Sequence, residues 1–279
     1  MAPYRSREEL SALNEIAPDF AKHIAARPVN IPDWSEGINA TRIIRAQHLA
    51  SLHHLLPIPA AIPDLVSEKD VHVSADDGYQ IRVRVYAPTK PTEKAYPVIV
   101  LYHEGGWCFG DLTDEQMNAR MFVRDIGAVC LNVEYRLAPE NQFPIGINDC
   151  YKALKAVATR PGMFHELVDP KLGLVLGGSS AGGNISAVLA QCARNDSLSP
   201  PVTRQWLSCP FLIVSEMVPE KYKAEYLSEF ENADDPVLGK MTTEVEGGEC
   251  FLVVLLLSRP LLMRILERAC ENDRGLKPR

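Results

Sequence analysis

The sequence has no C-x-x-C pair, no basic run and no apolar stretch long enough to cross a bilayer. Its cysteines stand apart, at 108, 130, 150, 192, 209, 250 and 270. An odd, scattered set implies neither a disulfide framework nor a zinc site, and it fits a reducing compartment. The formal net charge is −7 with no positive stripe, so nucleic acid and acidic membrane surfaces are poor partners. The longest apolar run, Phe251 to Leu257, is followed by Ser258, Arg259 and Pro260, whereas a spanning helix needs about 20 apolar residues. The opening MAPYRSREEL lacks the apolar core of a secretory signal, and Lys277-Pro278-Arg279 is a poor peroxisomal address. These features read as an intracellular protein, cytoplasmic with the peroxisome left open, that needs no metal or cofactor.

What the chain does have is enough apolar material for a large core: 46% of its 279 residues are hydrophobic. Residues 7 to 56 carry alanine, leucine and isoleucine at helical spacings, punctuated by Pro18, Pro28 and Pro32. A hairpin follows. Val71 and Val73 alternate with polar residues, as do Ile81, Val83 and Val85, and Asp77-Gly78 lies between as a turn pair. From residue 97 the pattern changes. Pro97 to Tyr102 is a near-continuous apolar run, the mark of a strand buried on both faces. A helix is expected from about Thr113, where Thr113 and Gln116 fit a capping box and Met117, Met121 and Phe122 supply an apolar face. Further strands are expected at 128 to 133, 174 to 176 and 204 to 214, with helices over 145 to 158 and from near Ser180. Strands alternating with helices predict an α/β fold with a mostly parallel sheet covered on both faces.

One turn in this pattern carries chemistry. Gly178-Ser179-Ser180-Ala181-Gly182 fits G-x-S-x-G, and it lies between a buried strand and an amphipathic helix. That is the setting of a nucleophile elbow: small residues permit a sharp bend, and the bend lifts the serine hydroxyl off the carboxyl edge of the sheet. It also aims the helix N-terminus at developing negative charge. A second glycine-rich loop, His103-Glu104-Gly105-Gly106-Trp107, follows the first buried strand. Glycines let a main chain approach an oxyanion closely, so the amides of Gly105 and Gly106, with that of Ala181, are candidate donors. Either element alone is compatible with a tight turn that does no chemistry.

Taken together, these motifs resemble the hormone-sensitive-lipase-like family of α/β-hydrolases. Family members show H-G-G-G-W, Y-R-L-A-P-E and G-D-S-A-G-G-N in that order. Here HEGGW stands at 103–107, YRLAPE at 135–140 and GSSAGGN at 178–184, and Phe143-Pro144 and Asn148-Asp149-Cys150 also look familial. The resemblance implies that Ser180 is the nucleophile, that Gly105, Gly106 and Ala181 form the oxyanion hole, and that residues 1–66 are a helical cap over an acyl pocket. Residues 67–243 would be the hydrolase core. It further implies hydrolysis of carboxylic esters with small or medium acyl chains; similar fungal members act in secondary metabolism.

Departures from the family pattern matter as much. Glu104 replaces a glycine of the loop, and Ser179 replaces the aspartate before the nucleophile. Neither removes a backbone donor. The family places its triad acid and histidine after the serine, yet His23, His48, His53, His54, His72, His103 and His165 all precede Ser180. His103 belongs to the loop, His165 to the opposite edge of the sheet, and His72 to the solvent side of the hairpin. His53 and His54 lie in the expected cap. Asp273 stands near the family's spacing for the acid, but its setting, Glu271-Asn272-Asp273-Arg274-Gly275, does not match. The acid and histidine of the triad are therefore unassigned. The resemblance fades near residue 243, and 244–279 reads as an atypical tail such as a frameshift, a retained intron or a truncated gene copy would produce. Three readings stand at this point: an ester hydrolase with impaired activity, a non-catalytic binder of ester-like small molecules, and a destabilised fragment.

Overall fold

A computed structural model describes residues 9, 15–26, 37–56, 58, 60–90, 94–213 and 218–234. They fall into two compact units, the larger running from Ala46 to Leu212 and the smaller holding the described residues up to Arg45 and from Ile213 on. Helices α1 (Pro18–Ala26) and α2 (Ile38–Leu52) occupy the N-terminal region read as helical, and a short turn, His53–Leu55, follows.

The larger unit is built on one sheet of β1 (Val66–Ser74), β2 (Gln80–Pro88), β3 (Val98–Tyr102), β4 (Val129–Glu134), β5 (Leu174–Ser179) and β6 (Arg204–Ser208). Their spatial order is β1-β2-β4-β3-β5-β6. The hairpin β1–β2 is antiparallel and β2 joins β4 antiparallel. β4, β3, β5 and β6 are parallel to one another. Ala75 closes the hairpin by donating to Tyr79 O at 2.8 Å.

Helices α3 (Gln116–Ile126), α4 (Ile145–Thr159) and α5 (Ala181–Asn195) connect the parallel strands. β3 shows how both faces are covered. All five of its residues are buried, as its uninterrupted apolar run requires. Ile99 and Leu101 pack with Ala119 and Val123 of α3, alongside Tyr86 and Cys130. Tyr102, pointing the other way by the two-residue alternation of a strand, donates its hydroxyl to Cys150 O of α4 at 3.3 Å.

Two local expectations are corrected. α3 begins at Gln116, with Glu115 at the cap position and no side-chain cap bond. The capping box at Thr113 does not form, because carboxylates take the preceding backbone into turns. Asp111 Oδ1 accepts from Thr113 N at 2.6 Å, and Asp114 Oδ2 from Asp111 N at 2.9 Å. The helix buries Ala119, Arg120 and Val123, while Phe122 is half-buried edge-on to Trp206 at 5.2 Å. β6 stops at Ser208 rather than continuing to Val214. Cys209 takes φ 36°, outside strand geometry, and Pro210 has no N–H for the ladder. The apolar run after it made the strand look longer. The tail 244–279, with its Phe251–Leu257 segment, lies outside the described residues. Among the described residues no helix is long and apolar enough to cross a membrane.

Candidate active site

β3 and β5 are parallel neighbours with Tyr102 opposite Gly178. The segments that leave their carboxyl ends, the loop from His103 and the turn at Ser180, therefore emerge side by side.

The elbow is tight. Ser180 adopts φ 50° and ψ −114°, a backbone region that L-residues rarely occupy. Its N–H donates to Ser208 O of the neighbouring strand at 2.9 Å, and its carbonyl accepts from Asn184 N at 3.0 Å, starting α5. The side chain is half-buried. Gly178 and Gly182 face each other across the bend. A Cβ on Gly178 would lie 2.7 Å from the Gly182 carbonyl carbon; one on Gly182 would overlap the Tyr102 carbonyl. The first-turn amides of α5, including Ala181 N–H, have no partner earlier in the helix. Asn184 Nδ2 donates to Phe211 O at 2.7 Å, fixing the chain beyond β6 against this helix.

The opposing loop is held by different means. Gly105 has φ 111°, Gly106 58° and Trp107 63°. Only glycine takes the first of these without strain, and a Cβ there would run into the Phe109 backbone. Phe109 N and Cys108 N both donate to Gly105 O, at 2.8 and 3.1 Å. That turn leaves the amides of Gly105 and Gly106 on the bend itself. His103 is fully buried. Its Nδ1 donates to Glu104 O at 2.7 Å, which fixes the tautomer, and its ring stacks on Tyr135 at 4.1 Å between centroids. Tyr135 also donates its hydroxyl to His103 O at 2.9 Å, and Ala138 N donates to Trp107 O at 3.0 Å. The YRLAPE segment is thus a brace for the HEGGW loop.

Arg136, from the same segment, grips a second familial residue. Its Nε and Nη2 each lie 2.8 Å from Asp149, which also accepts from Arg136 N at 3.2 Å. Its Nη1 reaches Asp77 in the hairpin turn at 2.5 Å, and its guanidinium covers the Tyr79 ring at 4.4 Å.

The other histidines are elsewhere. His165 lies ahead of β5, edge-on to Tyr96 at 6.0 Å with Nδ1 accepting from Leu167 N. A strand of six residues, about 20 Å, separates it from Ser180. Burial, then Lys69, lower its pKa. His23, His48, His54 and His72 are exposed. Asp273 lies outside the described residues. No group of three His, Cys, Asp or Glu side chains among the described residues is placed to hold a metal ion.

One participant had no sequence signal. Glu115 is buried, with Oε1 accepting from Ser179 N at 3.0 Å and Oε2 from Asn118 Nδ2 at 2.7 Å. Burial pushes its pKa up, partly opposed by those bonds, and Glu104 adds to the rise.

Comparison with known proteins agrees with this fold. Residues 99–252 match the family described as alpha/beta hydrolase fold. The chain is 33% identical over 207 residues to an AB hydrolase superfamily protein of Schizosaccharomyces pombe, covering 74% of this chain and 60% of the relative. It is 38% identical over 191 residues to carboxylesterase NlhH of Mycobacterium tuberculosis, covering 68% and 56%. The solved structure of a vibralactone cyclase superposes with TM-score 0.68 at 31% identity, over 81% of this chain and 66% of that one. The chain thus spans little more than half the length of the curated relatives it matches. Within that span it belongs to the α/β-hydrolase family, in its hormone-sensitive-lipase-like branch.

Proposed function

We propose that this chain carries the acyl-binding and nucleophilic part of a serine carboxylic ester hydrolase site. Ser180 Oγ attacks the ester carbonyl. The amides of Gly105, Gly106 and Ala181 receive the negative charge that develops on its oxygen. The observation that carries this reading is the backbone of Ser180 at φ 50°. Strain of this kind persists only where surrounding structure over-determines it, and it concentrates at functional sites. Names of similar proteins, such as carboxylesterase NlhH and the arylesterase of Saccharolobus solfataricus, support the same class. Small or medium acyl esters are the proposed substrates.

Turnover is proposed to be slow in this chain. A serine hydroxyl is a poor nucleophile until a base takes its proton. No histidine in the 279 residues follows Ser180, and His103 is engaged in shaping the loop. Loss of the histidine alone costs about 10⁶ in turnover where a triad operates, while oxyanion donors and binding retain about 10³ to 10⁴ over water. The same observation favours a second reading, a receptor-like binder of ester-like small molecules that keeps the fold without the chemistry.

Hydrolysis of p-nitrophenyl acetate and butyrate, measured beside Ser180→Ala, separates the two. Serine-dependent turnover above background supports the hydrolase. Equal rates in both proteins, with ligand binding retained, support the binder.

A further inference from the structure

Ser179 N–H is a donor left over by the sheet. Along a strand, successive amides point to opposite neighbours. Ser180 N–H points toward β6, where it meets Ser208 O, so Ser179 N–H points toward β3. β3 has no partner to give at this level. Its last paired residue, Tyr102, sits opposite Gly178, and the chain then turns away into the His103 loop. The amide next to the elbow would be stranded in a half-buried setting, which is costly for any backbone donor.

Glu115 fills the gap from across the molecule, 64 positions earlier in sequence. Its side chain is 1% exposed. Oε1 takes the Ser179 amide and Oε2 is steadied by Asn118. Position 179 is also where this chain carries serine in place of the aspartate of the G-D-S-A-G pattern. Glu115 lies on the segment that continues from Gly105 and Gly106, so the same bond ties that loop to the elbow.

We propose that Glu115 is a positioning residue for the elbow: its carboxylate clamps Ser179 and thereby holds the Ser180 backbone in register with the Gly105–Gly106 loop. The consequence for rate rests on Ser180 being the nucleophile; the clamp itself does not. A buried glutamate acting only as filler would be replaceable by leucine. A clamp needs an acceptor oxygen, which glutamine keeps.

The test compares Glu115→Leu with Glu115→Gln by hydrogen exchange followed by mass spectrometry. Loss of a bond to a charged acceptor predicts about 10- to 100-fold faster exchange in peptides covering residues 177–181 of Glu115→Leu. Near-wild-type exchange is expected there in Glu115→Gln, and unchanged protection in residues 66–88 of both. Where p-nitrophenyl acetate is turned over, kcat falls with KM unchanged in Glu115→Leu and recovers in Glu115→Gln. Exchange is read without turnover, so an inactive protein removes the proposed hydrolase while leaving the clamp to be judged. Elbow amides as protected in Glu115→Leu as in wild type overturn the proposal, as does loss of protection spread evenly through the sheet. Should Glu115→Leu not fold, Glu115→Asp keeps the charge but draws the carboxylate back by one methylene: faster exchange confined to 177–181 supports the clamp, and unchanged exchange refutes it.

Discussion

Gly182 is pressed against the peptide that joins Tyr102 to His103. A Cβ added to it would overlap the Tyr102 carbonyl oxygen and lie 2.6 Å from its carbon and 2.9 Å from His103 O. Those are backbone atoms of a buried strand end, so they cannot swing aside. Gly182→Ala is expected to destabilise by roughly 3 kcal/mol or more, read as the midpoint of urea unfolding. Gly162, in the turn Pro161–Met163, has open space where its Cβ would stand. Gly162→Ala serves as the control and should gain about 0.5 kcal/mol through the unfolded chain. Equal costs for both would mean that the close approach of β3 and α5 has been misread.

Ser180 itself is the second case. Its φ of 50° is costly for any residue with a Cβ, by about 1–3 kcal/mol at such sites. Ser180→Ala keeps that cost; Ser180→Gly releases it, less the entropy of a freer unfolded glycine. The glycine variant should therefore be the more stable of the two, by about 1 kcal/mol after that offset. Thermal unfolding of the pair decides. A less stable glycine variant would show that the elbow is not strained.

Much of this was legible from residues, and the parts that were not share a cause. Alternating valines with Asp77-Gly78 gave the hairpin because both signals are local, and the uniform apolar character of 97–102 gave β3 because a strand buried on both faces has no other composition. The elbow was legible because sharp backbone geometry demands small residues in fixed places. The start of α3 was misread because Asp111 and Asp114 offered their own backbone a competing set of bonds, which a propensity pattern does not weigh. The end of β6 was misread because apolar residues continue past the point where Cys209 leaves strand geometry. Glu115 gave no signal at all. Its partner is remote in sequence, and a glutamate ahead of a helix reads as an exposed first-turn charge.

The pairing of Arg136 with Asp149 yields a third expectation. Asp149 is 1% exposed, and its carboxylate is held by both arms of one guanidinium and by Arg136 N. Arg136→Leu removes the positive partner and leaves a buried charge, which costs about 3–5 kcal/mol. Arg136→Lys should fall between, since an ammonium cannot match two oxygens with a planar fork. Asp77, on the outer side of the same guanidinium, has a half-exposed side chain, and Asp77→Asn should leave the unfolding midpoint near wild type. A large loss in Asp77→Asn with little in Arg136→Leu would reverse this ordering.

Glu115 makes the last expectation one of pH. Burial raises its pKa from 4.5, Asn118 and Ser179 pull it back through their bonds, and Glu104 is the charged neighbour that pushes it further up. A carboxyl whose folded pKa exceeds its unfolded one binds its proton more tightly in the native state. Between the two values the native protein therefore holds more protons, and its stability rises as pH falls. Above the folded value the ionised group detracts from stability by a constant amount; below 4.5 that penalty is gone. Glu115→Gln cannot titrate and lacks this slope. The difference in unfolding free energy, wild type minus Glu115→Gln, should increase as pH is lowered from neutrality through the raised pKa and level off below the ordinary one. Urea unfolding of both proteins across that range measures it. A difference that falls with acidity would mean that the carboxylate is favoured in its charged form, with the Ser179 and Asn118 bonds outweighing burial.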